Sequence, residues 1–225
     1  MRSSIKKYRE FIFENSNSLT EEQISFLDEH IEERGGWEYN DKTGKVDLFS
    51  SFRVLGEKIP ELPVEFGICY GDFEIIDCGL KSIKGLPTKA EVVKLVSNDI
   101  KDLSGLNIKT SSAFNISKNP ITSFFGTIKF EPYTLVAYEC NLITIENVNF
   151  RSFNFEENPI PYSFLQTIDY KGDKVYYRDL MDRYEDKVLP LWDTLHPDLQ
   201  RKIANANDTS IDDISRLSRS SQRII

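Results

Sequence analysis

The chain has few of the residues that build catalytic or metal sites. Its 225 residues include three Cys, two His, two Met and two Trp. No Cys-x-x-Cys, His-Glu-x-x-His or glycine-rich phosphate loop occurs. His30 is expected on the surface of a charged helix and His196 at a helix start, and neither has a candidate nucleophile nearby in the sequence. We therefore expect no enzyme activity, no metal and no cofactor.

Long hydrophobic runs and an excess of positive charge are also missing. No segment reaches membrane-spanning length, and the first residues, MRSSIKKYREF, are polar and lack an apolar core. The net charge of −8 argues against general binding to nucleic acid or to a membrane surface. Three cysteines fit a reducing compartment. We expect a cytoplasmic protein that binds neither nucleic acid nor membrane.

One pattern is present five times between residues 73 and 160. Each copy has an apolar residue, four further residues, Asn or Cys, one residue, and then Leu or Ile, as in FEIIDCGL and VKLVSNDI. The Asn or Cys positions, called the anchors below, are Cys78, Asn98, Asn119, Cys140 and Asn158. Their spacing of 18 to 21 residues is typical of a leucine-rich-repeat solenoid.

Each copy opens with a short alternating stretch, which predicts one strand of a parallel sheet per repeat. The predicted inward side chains are Phe73, Ile75, Val93, Leu95, Phe114, Ile116, Leu135, Ala137, Phe153 and Phe155. The anchor follows at a turn, where a buried side chain must bond to backbone groups that would otherwise be unpaired. Asn offers donors and an acceptor, and Cys is a weaker substitute of similar shape, so stacked anchors predict a hydrogen-bonded ladder. The competing interpretation is a β-sandwich, which gives no reason for a repeated anchor.

The segment GDFEIIDCGLKSIKGLP, residues 71–87, resembles the degenerate leucine-rich repeats of tailed bacteriophages and some bacteria. Those repeats read Gly-Asp-Phe, four residues, Asn or Cys, and then x-Leu-x-Ser-Leu-x-Gly-x-Pro. The resemblance covers about residues 20–165, and a strand at residues 46–48 followed by IPELPVEFG is similar to the family's first unit. It implies an α/β solenoid with short parallel strands that binds another protein, host or viral, and performs no chemistry. It also implies the cytoplasm of a bacterial host cell, with the virion as the alternative location.

The flanking segments are predicted to be helical. Residues 1–36 are predicted to form an N-terminal helical cap and residues 37–165 a solenoid of about five to six repeats. Residues 166–225 are predicted to form a C-terminal helical cap or tail. Helices are expected over residues 5–14, over 20–34, over 173–189, and onward from Pro197 and from Ser210. The C-terminal helices are open to two interpretations, a cap or a partner-binding element.

The side chains that alternate with the inward residues are expected on the concave face of the solenoid. The residues that we predict to bind a partner there are Glu74, Ile76, Lys94, Val96, Ser117, Val136, Tyr138 and Glu156. They form an apolar centre with a charged rim, as in many protein interfaces, although a solvated face with scattered apolar residues has a similar composition. Around residues 135–140 the sequence LVAYEC also allows Val136 and Tyr138 to face inward.

Two functions fit this pattern. The first is a non-enzymatic binding protein that occludes or modulates a host or viral protein through its repeat surface. The second is a structural component of a virion or another assembly. The two differ in solubility: a free inhibitor should be a well-behaved acidic monomer or small oligomer, and a structural component should be insoluble or polymeric alone. The sequence carries no sign of the oligomeric state.

Overall fold

A computed structural model describes residues 19–33, 36–127, 130, 132–144, 150, 152–159 and 174–221. The helix predicted over residues 5–14 lies outside these residues. The described chain is a parallel β-solenoid of about five turns, with a helix before it and helices after it. This architecture is broadly compatible with the α/β solenoid predicted from the repeat.

The elements follow one another in a simple order. The helix α1 spans Glu21–His30. The strands are β1 Trp37–Asn40, β2 Lys45–Leu48, β3 Phe52–Leu55, β4 Phe66–Cys69, β5 Phe73–Ile76, β6 Lys89–Lys94, β7 Lys109–Asn115, β8 Thr134–Val136 and β9 Ser152–Asn154. The C-terminal helices are α2 Lys174–Val188, a 3-10 helix Leu189–Thr194, α3 Pro197–Ala206 and α4 Ile211–Ser221.

The strands stack in two parallel lines joined at a corner. In the longer line β3, β5, β6, β7, β8 and β9 lie side by side, and the register aligns Phe52, Phe73, Val93, Phe114, Leu135 and Phe153. In the shorter line β2 and β4 lead to the start of β6. The corner is tight at Gly71, where a Cβ atom would lie 2.7 Å from the backbone nitrogen of Ser51.

The core fills the space between the strands and the return arms. All ten predicted inward residues are buried, and nine of them have no exposed surface because neighbouring elements cover them. Leu135 and Ala137 are fully buried, whereas Val136 and Tyr138 are partly exposed, so the alternative register at residues 135–140 is wrong. Burial of each large side chain contributes about 1.5–3 kcal/mol to folding.

The helix α1 begins at the predicted capping box but ends early. The hydroxyl of Thr20 accepts a hydrogen bond from the Gln23 backbone N–H at 3.2 Å, and the Gln23 side chain accepts one from the Thr20 N–H at 2.9 Å. The helix ends at His30, not at Arg34 as predicted. Ile31 is extended because it forms an antiparallel bridge with Phe52, so the sheet edge takes the backbone that would have continued the helix.

Strand β3 begins a turn of the solenoid that the repeat pattern did not predict. Its sequence, FRVLGEKI, precedes FEIIDCGL by 21 residues and pairs with it in register. Glu57 stands at the anchor position, so this copy lacks the Asn or Cys that marks the other five. An anchor is dispensable here because in later turns the anchor bonds to the preceding turn, and β3 has no turn of this line before it among the described residues.

The C-terminal helices pack together and contact the last strand. The fully buried Trp192 donates a hydrogen bond from its indole N–H to Ser215 Oγ at 2.9 Å. Tyr184 of α2 has a non-helical backbone, and its hydroxyl accepts a hydrogen bond from the Phe155 backbone N–H at 3.3 Å. Its ring lies 5.4 Å from the ring of Phe153. The helices α2, α3 and α4 lie close to the predicted positions, and the 3-10 helix holds Pro190, where α2 was expected to have ended.

Candidate protein-binding surface

The Asn anchors tie each turn of the solenoid to the turn before it. Asn98 donates from its side-chain amide to the carbonyl oxygen of Ile75 at 2.8 Å, and its side-chain oxygen accepts from the backbone N–H groups of Cys78 and Leu80 at 3.2 and 3.0 Å. Asn119 and Asn158 make the same kind of bond, to the carbonyl oxygens of Leu95 at 2.6 Å and of Ala137 at 2.7 Å. The buried turns thereby have partners for their backbone groups.

The Cys anchors make only the donor half of this arrangement. The thiol of Cys78 donates to the carbonyl oxygen of Val54 at 3.5 Å, and that of Cys140 to the carbonyl oxygen of Ile116 at 3.4 Å. Burial raises the pKa of both thiols, so they stay protonated and can donate. All three cysteines are free, and burial raises the pKa of Cys69 to about 11.

The residue before each anchor has a left-handed backbone. These residues are Asp77, Ser97, Lys118, Glu139 and Glu157, with φ between 54° and 57°. The sequence did not reveal this conformation, because the five positions carry ordinary side chains. One signal was present: the equivalent residue of the β3 turn is Gly56, with φ of 69°. Because the left-handed turn is fixed, the anchors point inward and the preceding strand residues alternate reliably between core and surface.

The predicted partner-binding residues share one surface, which we call the strand face. It consists of two rows that run across the strands, one residue per turn. The first row is Arg53, Glu74, Lys94, Asn115, Val136 and Asn154, and the second is Leu55, Ile76, Val96, Ser117, Tyr138 and Glu156. The structure therefore brings all eight predicted residues together and adds Arg53 and Leu55, which belong to the turn that the pattern missed.

Two of the predicted contact residues are too buried to be contacted. Glu74 is 2% exposed and Ser117 is 4% exposed, although both were expected on the accessible face. Glu74 is covered by the longer side chains of Arg53 and Lys94 on the adjacent strands. Ser117 turns its hydroxyl toward the neighbouring turn, where it accepts a hydrogen bond from the Tyr138 backbone N–H at 3.1 Å.

The strongest electrostatic feature of the strand face is the triad of Arg53, Glu74 and Lys94. Arg53 Nε lies 2.5 Å from one carboxylate oxygen of Glu74, and Lys94 Nζ lies 2.6 Å from the other. Burial acts to raise the pKa of Glu74, but the hydrogen bonds from Lys94 and Arg53 outweigh it and the pKa is lowered. The buried carboxylate thus stays charged and fixes two half-exposed cations in position.

The apolar part of the strand face lies beside this triad. Leu55 is 54% exposed, and Ile76 and Val96 on the next two turns are partly exposed. Tyr138 continues the row toward the C-terminal end. The Nζ atom of Lys118 lies 6.0 Å from the centroid of the Tyr138 ring and 3.2 Å from a carboxylate oxygen of Glu139. That ion pair is half-exposed, so it contributes at most about 1 kcal/mol and can exchange for contacts with a partner.

Other features of the described chain offer little chemistry. No group of three His, Cys, Asp or Glu side chains within these residues is placed to hold a metal ion. His30 is not on the surface as predicted: its side chain is 7% exposed, packed edge-on against Phe26, while His196 accepts a hydrogen bond at the start of α3. A cavity of about 380 Å³ lies between α1, the β1–β2 hairpin and the first return arm, away from the strand-face residues.

None of the helices in the described part of the chain combines the length and the apolar character needed to cross a membrane.

Comparison of the chain with protein-family models, with curated proteins and with solved structures finds no match. The resemblance to leucine-rich repeats therefore rests on the repeat residues alone.

Proposed function

We propose that this chain is a non-enzymatic protein-binding scaffold that occludes or modulates a host or viral protein through its strand face. The observation that carries the proposal is the apolar row of exposed Leu55 and partly exposed Ile76 and Val96, beside two cations that a buried carboxylate holds in place. An apolar centre with charged groups around it is the arrangement that protein interfaces favour. Arg53 and Tyr138 are also of the residue types that contribute most to binding energy.

The rigidity of the strand face supports a role in binding. Neighbouring strands in a sheet lie about 4.8 Å apart, so each turn presents its side chain at a fixed interval. The anchors and the left-handed turns hold these strands on the side opposite to the partner. A preorganised surface loses little conformational entropy on association, and binding is correspondingly tighter.

The resemblance to phage repeat proteins suggests the class of partner and the compartment. We take the partner to be a host or viral protein in the cytoplasm of a bacterial cell. We further propose that the chain is a leucine-rich-repeat solenoid with helical caps. In support, α1 packs Phe26 against Phe52 at one end, and α2 packs Tyr184 against Phe153 at the other. Without such covers the end turns would expose their apolar edges.

The test is an affinity capture with the tagged full chain from bacterial lysate and from phage-infected lysate. The strand-face variant combines Leu55→Glu with Tyr138→Ala, since both positions are exposed enough to change without loss of the core. The matched control is Ile143→Ala, an apolar residue 58% exposed that lies outside the strand face.

One stoichiometric protein captured by the wild type and the control, but not by the strand-face variant, supports the proposal. A protein that the strand-face variant still captures moves the interface elsewhere and contradicts it. Capture of particle proteins alone, from infected lysate only, favours the structural component of a virion over the free binding protein.

A further inference from the structure

A second exposed surface lies at the corner between the two lines of strands. Phe49 and Tyr70 occupy this corner in consecutive turns and are 52% and 57% exposed. Their rings stack, with centroids 5.9 Å apart and an angle of 18° between the ring planes. Single exposed apolar residues are ordinary, but adjacent large ones mark sites of interaction.

Lys89 lies beside the Tyr70 ring, and a second lysine, Lys109, lies next to Lys89 on the following strand. Lys89 is the register partner of Lys109 on the next strand, and both are exposed. Neither lies within ion-pair distance of a carboxylate in the described part of the chain. The Nζ atom of Lys89 lies 5.9 Å from the centroid of the Tyr70 ring, at cation–π distance. We call Phe49, Tyr70, Lys89 and Lys109 the aromatic corner.

Within the part of the chain that is described, the two lysines are unpaired basic residues, and the whole chain has a net charge of −8. The chain has 36 acidic and 28 basic side chains, so an acidic neighbour would have been the ordinary companion for each lysine. Like charges directly opposite one another on adjacent strands are destabilising. The exposed Glu91 lies two residues after Lys89 on β6, yet among the described residues it forms no ion pair with either lysine. A local departure from good design without compensation in the fold points to a ligand.

The backbone holds the aromatic corner in place. The N–H of Phe49 donates to the carbonyl oxygen of Gly36 at 2.6 Å, and the N–H of Tyr70 donates to that of Leu48 at 2.9 Å. The N–H of Lys109 donates to the carbonyl oxygen of Thr88 at 2.9 Å. The rings and the lysine stems therefore start from fixed points, and a partner meets a preformed surface.

We propose that the aromatic corner is a second docking surface, which takes an acidic segment of a partner protein. The stacked rings supply apolar contact to the segment, and the two lysines pair with its carboxylates. Single-stranded nucleic acid also stacks on aromatic rings and carries negative charge, but the net charge of −8 repels a long polyanion and favours a short acidic stretch of protein. This surface is separate from the strand face and does not depend on the function proposed above.

The test measures binding of fluorescein-labelled peptides to the full chain by fluorescence anisotropy. The probe is a short peptide of alternating glutamate and proline, compared with a lysine–proline peptide of equal length and with an oligothymidylate. We expect the glutamate peptide alone to bind with measurable affinity. Tyr70→Ala and the double variant Lys89→Gln/Lys109→Gln should each weaken that binding by about tenfold.

Two matched variants separate this result from loss of folding or from general charge. Tyr70→Phe keeps the stacked ring and should bind as the wild type does. Lys101→Gln removes an exposed lysine from a return arm and should also leave the affinity unchanged. The proposal is overturned if the glutamate peptide does not bind, if the lysine peptide binds equally, or if Tyr70→Ala has no effect. Tighter binding of the oligothymidylate through the same residues would assign the corner to nucleic acid instead.

Discussion

Single anchor residues illustrate how this fold is held together at the residue scale. Asn119 is 1% exposed, and its side-chain amide faces the carbonyl oxygens of Leu95, Ile116 and Ser117 while its oxygen accepts from the Ile100 N–H. A Cys anchor bonds to carbonyl oxygens only. The repeat therefore contains stronger and weaker joints, and their order along the chain follows from the anchor residues.

Asn119→Ala should destabilise the protein by about 3 kcal/mol, because several buried backbone groups lose their partner at once. At a Cys anchor, Cys140→Asn should be neutral or stabilising, because the Asn side chain adds an oxygen that can accept a hydrogen bond from a backbone N–H. Urea denaturation of the full chain measures both changes in the free energy of unfolding. A change below about 0.5 kcal/mol for Asn119→Ala, the range of an ordinary surface substitution, would argue that the anchors are not structural joints.

The left-handed positions give a second test at this scale. Ser97 has φ of 54°, which glycine adopts freely and a β-branched residue adopts poorly. Ser97→Gly should therefore keep or raise the free energy of unfolding, whereas Ser97→Val should lower it by about 1–2 kcal/mol. Equal effects of the two substitutions in the same urea titration would contradict the assigned backbone conformation.

At the scale of the elements, the triad of Arg53, Glu74 and Lys94 links strands β3, β5 and β6 through the buried carboxylate of Glu74. Glu74 has a lowered pKa in the folded protein, so the native state binds its proton less readily than the unfolded chain does. Its contribution is then present above the ordinary pKa of 4.5 and is lost as the pH falls through the folded-state pKa.

Glu74→Gln should therefore be less stable than the wild type at neutral pH, and the difference should shrink in acid. The measurement is the free energy of unfolding of both proteins at a series of pH values from neutral to below the ordinary pKa of glutamate. A difference that stays constant with pH would show that the carboxylate charge does not link the strands.

The elements that the sequence predicted and the ones it missed differ for identifiable reasons. The strands after Phe73 were predictable because each carries two inward apolar residues and an anchor at a fixed offset. Strand β3 was not predicted because Glu57 replaces the anchor. The end of α1 was predicted too late in the sequence because the bridge from Ile31 to Phe52 depends on a residue far away along the chain. The burial of Glu74 depends likewise on its neighbours on two other strands.

At the scale of the whole molecule, the solenoid is close to one-dimensional, so its ends are its weakest points. Tyr184 joins the C-terminal helices to the last strand through its ring contact with Phe153 and its hydrogen bond from Phe155. The sequence placed Tyr184 in the apolar set of its helix, but no local pattern links that helix to a particular strand.

Tyr184→Ala should lower the free energy of unfolding by about 3 kcal/mol, and Tyr184→Phe by about 1 kcal/mol, since only the former removes the ring. Amide hydrogen exchange should rise in β9 before it rises in β3, because turns unfold from the uncovered end. Uniform exchange along the solenoid, or no difference between β9 in the variant and in the wild type, would contradict a capping role.

Binding of a protein to the strand face is tested by the affinity of the captured partner for two variants. Ile76→Ala alters the apolar row, and Ile143→Ala alters an exposed apolar residue outside it. Isothermal titration calorimetry should show a dissociation constant about tenfold higher for Ile76→Ala and unchanged for Ile143→Ala. An unchanged affinity for Ile76→Ala, or an equal loss in both variants, would show that the partner does not bind through the strand face.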